Sequence, residues 1–174
     1  MGGWVVLKFA LEYPERVRRF FVANSPGINF EVPFDPTLFQ PTTVERAHQF
    51  LVLLTPRAAL LPRFVARDVL RRMRPIKWVV QRATKSMIAR ADLLDGKLRA
   101  IRAPALIIWG KQDALVPVAC AEEMHRQMPH SVLAVFDGAG HLAPAECSRR
   151  VTPEILRFLA AEPPLPPSAR EFPK

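Results

Sequence analysis

Cysteine is scarce in this chain: its 174 residues include only Cys120 and Cys147. Two thiols cannot build a disulfide framework, and they suit a reducing compartment. Long apolar runs are also missing. The longest charge-free apolar stretches, such as Ala47 to Pro56 and Ala103 to Gly110, fall far short of the roughly 20 residues that span a bilayer. The first residues lack a basic leader, Lys8 interrupts the apolar run, and Glu12 and Glu15 follow, so no signal peptide is read there. Val6 occupies the place where a myristoylation signal needs Ser or Thr. These absences together predict a cytoplasmic protein without a transmembrane segment. Zinc-type Cys/His spacing, an aromatic ladder and a helix-turn-helix turn are absent too, so neither a metal nor nucleic acid is expected.

What remains is a globular composition, 49% hydrophobic and 24% charged, in a length that suits one domain with a real core. The 18 prolines are roughly twice the usual share. The formal net charge is +9, unevenly placed. Residues 57–102 hold 13 Lys and Arg against Asp68, Asp92 and Asp95, a local 13 − 3 = +10, which leaves 9 − 10 = −1 elsewhere. Surface helices with an arginine-rich solvent face account for such a block, and an anionic surface or partner is the alternative.

Along the chain, residues 2–12 are apolar on nearly every side, as in a helix buried against a sheet, and Tyr13-Pro14 ends it. Val17 to Asn24 reads as a strand closed by Ser25-Pro26-Gly27. Residues 28–99 break the sheet pattern with Pro33, Pro36, Pro41, Pro56, Pro62 and Pro75, and with helical spacing over 43–54, 62–73 and 76–88. Strands are predicted again at 105–110 and 131–137, with helices over 118–128 and 144–160. In the last helix Thr152 is expected to cap and Pro153 to stand at the first position. The tail from 161 reads as loose and proline-rich, with Glu162 to Pro167 as extended polyproline. The alternation predicts an α/β fold with about three parallel strands, in four sections: 1–27, 28–99, 100–160 and 161–174.

Two loops carry the chemistry. Asp113 follows the strand at 105–110, and His141 follows the strand at 131–137 behind Gly138 and Gly140. A right-handed crossover puts both loops on the carboxyl edge of neighbouring strands, where open α/β sheets bind ligands. Asp113 alone is an ordinary turn residue, and a lone histidine is usually structural. Acid and base at successive strand ends form a dyad: the carboxylate orients the ring and stabilises the imidazolium formed when it takes a proton from a nucleophile. His48, His125 and His130 read as structural.

These loops, Trp-Gly-Lys-Gln-Asp-Ala-Leu-Val-Pro (109–117) and Gly-Ala-Gly-His-Leu-Ala-Pro-Ala-Glu (138–146), resemble the acid and histidine motifs of the α/β-hydrolase superfamily. Met1-Gly2-Gly3 and the following helix resemble the segment just after that family's nucleophile elbow, and the likeness runs over about residues 1–160. The resemblance implies that 28–99 is a helical cap, that His141 and Asp113 are catalytic, and that no cofactor is required. It also implies that the Met1 nitrogen takes the place of an oxyanion-hole donor. The serine would then belong one position before Met1, since Ser25, Ser86, Ser131 and Ser148 do not stand in an elbow. The chain is therefore expected to be inactive alone, to expose an apolar strand along 17–22, and to need a complementing amino-terminal half. A serine esterase or lipase acting on a small apolar acyl substrate is expected, with Phe30, Phe34, Leu38, Phe39 and Trp78 lining its pocket. Carbon–carbon bond hydrolysis by the same triad is the alternative, as is a non-catalytic product that binds a partner or anionic surface through its basic cap.

Overall fold

A computed structural model describes residues 1–90, 92–162 and 167–174. Helix α1 (Gly2–Glu12) leads into strand β1 (Phe20–Ala23). A helical segment follows, with α2 (Val44–Leu54) joined to α3 (Arg63–Met73) through a 3-10 turn (Pro56–Leu60), and α4 (Lys77–Ile88) after a short turn. Then come β2 (Ala105–Gly110), α5 (Val118–Gln127), β3 (Ser131–Phe136), α6 (Ala143–Glu146), α7 (Ser148–Ala160) and β4 (Ser168–Phe172). The four strands form one parallel sheet in the order β1-β2-β3-β4.

Strand β2 is buried at every position because it lies inside the sheet with both faces covered. Its side chains alternate between two cores, as the period of two requires. Ala105, Ile107 and Trp109 join Trp4 and Leu7 of α1 and Ala121 and Met124 of α5 on one face. Leu106 and Ile108 join Ala134, Phe136, Val151 and Phe158 on the face covered by α6 and α7. A third, small cluster of Ala47, Ala66 and Leu70 holds α2 against α3. Helix α2 starts where Thr43 caps it, its hydroxyl accepting from the Arg46 N–H at 3.2 Å.

Four expectations need correction. The first strand begins at Phe20, not Val17, because pairing with β2 starts at Phe20↔Ala105. Within it Phe20 and Val22 are buried, so Phe21, at 43% exposure, is the large side chain left open. The sheet has a fourth strand inside the tail expected to be loose. Ser168–Phe172 has no apolar run to announce it; it is held by tertiary contacts. Phe172 stacks on Phe136 with centroids 4.6 Å apart, and Arg170 reaches buried Glu154 of α7 at 3.6 Å. The expected polyproline run falls largely on residues 163–166, outside the described residues. Finally, α7 starts at Ser148, so Pro153 lies inside the helix and Thr152 is not its cap. A proline there forgoes one backbone hydrogen bond, which the burial of Val151 and Phe158 offsets.

Among the described residues no helix is long and apolar enough to cross a membrane.

Candidate active site

The site is assembled where β1, β2 and β3 end side by side. The loops after β2 and β3 are stitched together by backbone and side chain: Gln112 N–H donates to the Ala139 carbonyl at 2.9 Å, and its side-chain oxygen accepts from Gly138 N–H at 2.7 Å. They approach so closely that a Cβ on Gly110 would stand 2.1 Å from the Gly140 carbonyl oxygen. Glycine at 110 is a steric demand of this contact.

Asp113 emerges from that junction with its side chain fully buried. Its Oδ1 accepts from the Leu115 and Val116 N–H groups at 2.8 and 3.0 Å, an arrangement that turns the chain and fixes the carboxylate. Its Oδ2 accepts from His141 Nδ1 at 2.9 Å. An ionised carboxylate only accepts, so Nδ1 carries the proton and Nε2 is left as the basic nitrogen. The imidazole is 16% exposed, and His141 forms part of the wall of the cavity above the sheet.

The histidine loop is anchored from the other side by the helical segment. His141 N–H donates to the Leu54 carbonyl at 2.9 Å. Glu146 closes the loop on itself: Oε1 accepts from Gly140 and Leu142 N–H at 3.0 and 3.2 Å, while Oε2 accepts from the Thr55 hydroxyl at 2.6 Å. Gly140 is required here too, since its Cβ would meet Pro56 Cδ at 2.8 Å. Glu146 closes the 138–146 motif, but its residue type and spacing alone do not show this clasp. Nor does the sequence show a second contact on the acid. Asn24, at the end of β1, donates from Nδ2 to Asp113 Oδ2 at 2.7 Å.

The cavity above the dyad measures about 350 Å³ and is mainly apolar. Phe30, Phe34 and Phe39 form part of its wall, with Met1 and His141 at the same space. Burial depresses the pKa of the Met1 amino group although the Met1 side chain is exposed. Two residues expected in the pocket stand elsewhere. Leu38 is half-buried off the wall, and Trp78 is 67% exposed on α4, whose cavity-lining residues are Val79, Val80, Ala83, Thr84, Met87 and Ile88. Trp78 lies about 200° around the helix from Val80 and so points away from the cavity. Of the remaining histidines, His125 Nδ1 contacts Ser131 Oγ at 2.7 Å, and its burial lowers its pKa.

Cys120 is a buried free thiol on α5. Burial, then the charges of Asp113 and Asp95, push its thiol up to about 11. Among the described residues no cluster of three or more His, Cys, Asp or Glu could hold a metal.

Comparison with known proteins bears on the family. The family described as serine aminopeptidase, S33, matches residues 1–148. A 2-hydroxy-6-oxononadienedioate/2-hydroxy-6-oxononatrienedioate hydrolase of Burkholderia vietnamiensis is 30% identical over 172 residues, covering 91% of this chain and 59% of that protein. A pimeloyl-[acyl-carrier protein] methyl ester esterase of Aliivibrio salmonicida is 30% identical over 176 residues, covering 93% of this chain and 67% of that protein. Among solved structures, a meta-cleavage product hydrolase of Pseudomonas fluorescens superposes with a TM-score of 0.76 at 23% identity, over 90% of this chain and 61% of its own. The chain thus spans about three-fifths of the length of such relatives. Sheet, dyad and family match converge on one assignment: the chain belongs to the serine aminopeptidase S33 family of the α/β-hydrolase superfamily.

Proposed function

We propose that His141 and Asp113 are the base and acid of a serine hydrolase that cleaves a small, largely apolar carbonyl substrate. The observation that carries this reading is the 2.9 Å bond from His141 Nδ1 to a fully buried carboxylate, with the imidazole on the wall of an apolar cavity. In the reaction Nε2 takes the proton of a serine hydroxyl as its oxygen attacks the carbonyl carbon. Asp113 stabilises the imidazolium, which then protonates the leaving group. Water repeats the sequence and releases the acid. The dyad performs this without a cofactor.

The hydroxyl comes, in this reading, from outside residues 1–174. Ser25 Oγ donates to the Pro26 carbonyl and Ser131 Oγ to that of Met128, and among the described residues no serine is hydrogen-bonded to His141. Support for a complementing amino-terminal segment comes from one surface. Val5, Phe9 and Tyr13 are exposed at successive i, i+4 positions along α1 and its C-cap, and Phe21 of the edge strand β1 is exposed on the face of the sheet away from α1. A segment that pairs a further strand to β1 and lays a helix on α1 would cover the edge and the stripe.

Two bonds are candidates for cleavage. An ester suits the acyl chemistry and the aromatic lining from residues 28–99, which act as a cap over the sheet. Carbon–carbon cleavage is favoured by the names of the relatives, which include a 2-hydroxy-6-oxo-6-phenylhexa-2,4-dienoate hydrolase of Burkholderia cepacia, 27% identical over 174 residues. The test extends the chain upstream in its own reading frame and applies a fluorophosphonate probe, with and without His141→Ala. Labelling of one serine in the longer chain, lost in the variant, is expected; labelling that survives the variant overturns the reading. Turnover of p-nitrophenyl esters against 2-hydroxy-6-oxodienoates then separates the two bonds.

A further inference from the structure

The end of β1 holds a buried amide that no step above uses. Asn24 is 2% exposed, its backbone sits in the left-handed region at φ 46°, and its N–H donates to the Ile108 carbonyl at 3.0 Å. Asparagine adopts that conformation more readily than other non-glycine residues. From this fixed point Nδ2 donates twice: to Asp113 Oδ2 at 2.7 Å and to the Gly140 carbonyl at 3.3 Å. One nitrogen therefore touches the acid and the residue immediately before the base.

The orientation of the amide follows from its surroundings. Flipped, Oδ1 would face a carboxylate oxygen and a carbonyl oxygen, with no proton between them. As placed, Oδ1 is buried and has no partner among the described residues. Leaving a buried acceptor unpaired is unfavourable, so the two donated bonds outweigh it. Asp113 then receives four donors, two backbone N–H groups on Oδ1 and, on Oδ2, Asn24 and His141.

We propose that Asn24 is a positioning residue of the dyad: its Nδ2 shares Asp113 Oδ2 with His141, fixes the carboxylate plane, and draws off part of the charge that would otherwise stabilise the imidazolium. The proposal rests on the dyad reading above and adds a third strand end to it. Without this donor, more of the carboxylate's charge faces the ring, and His141 holds its proton to higher pH. A carboxyl in place of the amide, held as close to Oδ2, shares a proton with Asp113 and so keeps a donor on that oxygen, which makes its effect the smaller one. The other ionisable groups near the ring, the Met1 amine and Arg90 on the cavity wall and Glu146 beneath the loop, are the same in every variant.

The experiment is an NMR titration of the chain with labelled histidine and asparagine side chains. In the unsubstituted protein the Asn24 NH2 resonances shift with the same midpoint as the His141 ring, because both bind Oδ2. Asn24→Leu, similar in size but without a donor, raises the His141 midpoint by roughly half a unit, and Asn24→Asp, which keeps a donor as a shared proton, raises it less. A merely structural Asn24 would alter stability and leave the midpoint in place. An unchanged midpoint in a folded Asn24→Leu, or Asn24 resonances that ignore His141, overturns the proposal. If Asn24→Leu does not fold, Asn24→Ala and the unsubstituted titration decide. Failure of the hydrolase reading is separable: it appears as no probe labelling in the extended chain while the Asn24–His141 coupling persists.

Discussion

Replacing Glu146 by alanine tests how the base is held. Three bonds end on that carboxylate, and they differ in worth. Gly140 N–H is buried, so losing its partner forfeits the desolvation of the group, about 1–3 kcal/mol. The Thr55 hydroxyl is half-buried and can partly re-hydrate, about 1 kcal/mol. Leu142 is exposed, and water replaces its acceptor at little cost. The sum is about 2–4 kcal/mol, a fall in Tm of roughly 5–15 °C for a domain of this size. Glutamine behaves differently. Its oxygen still accepts from Gly140, and its NH2 can donate to the Thr55 oxygen, so Glu146→Gln should lose less than half as much. Urea unfolding of both variants, with Thr55→Ala and the double variant to complete the cycle, reads these terms. Equal losses for Gln and Ala, or an Ala variant within about 0.5 kcal/mol of the parent, would refute the claim that this carboxylate clasps the loop.

The crowded junction of the two loops gives a second expectation. Gly110→Ala, with its Cβ 2.1 Å from the Gly140 carbonyl oxygen, should cost at least about 3 kcal/mol in chemical unfolding, and more than Gly2→Ala, where nothing lies within 4 Å. Cys120, held at about 11 by burial and by Asp113, should react slowly with a disulfide reagent at pH 8 and rapidly once urea opens the core. His125 supplies a pH test. Its folded pKa lies below the ordinary 6.5 because of burial, so protons favour the unfolded chain. Stability should therefore be unaffected by this group above about pH 7 and fall as the pH drops below 6.5; His125→Asn should flatten that part of the profile in thermal unfolding.

The sheet and the dyad were legible because their signals are local. Ala105–Gly110 is an unbroken apolar run, Asp113 and His141 follow strands directly, and glycines mark the tight turns. What escaped was fixed by contacts distant in sequence. Ser168–Phe172 reads as a polar tail until Phe136 and Glu154 are placed beside it. Pro153 looked like a helix start because that is where proline costs least, yet packing of Val151 carries α7 through it. Trp78 was assigned to the pocket by residue type, whereas the helical phase of α4 turns it outward. Asn24 was legible as a strand-end residue and Glu146 as part of a motif, but neither partner was. Each acts across 89 or 91 positions of chain, on Asp113 and Thr55 respectively.

The bond from His141 N–H to the Leu54 carbonyl makes the two sides of the cavity mechanically unequal. One wall is riveted to the proton carrier through residues 54–57, with Arg57 adding a grip on the Glu146 carbonyl at 3.0 Å. The opposite wall, α4, buries none of its side chains completely. Lifting the first would drag the imidazole out of register, while sliding the second leaves it undisturbed. Passage of a guest molecule along the α4 flank is thus compatible with a stationary base.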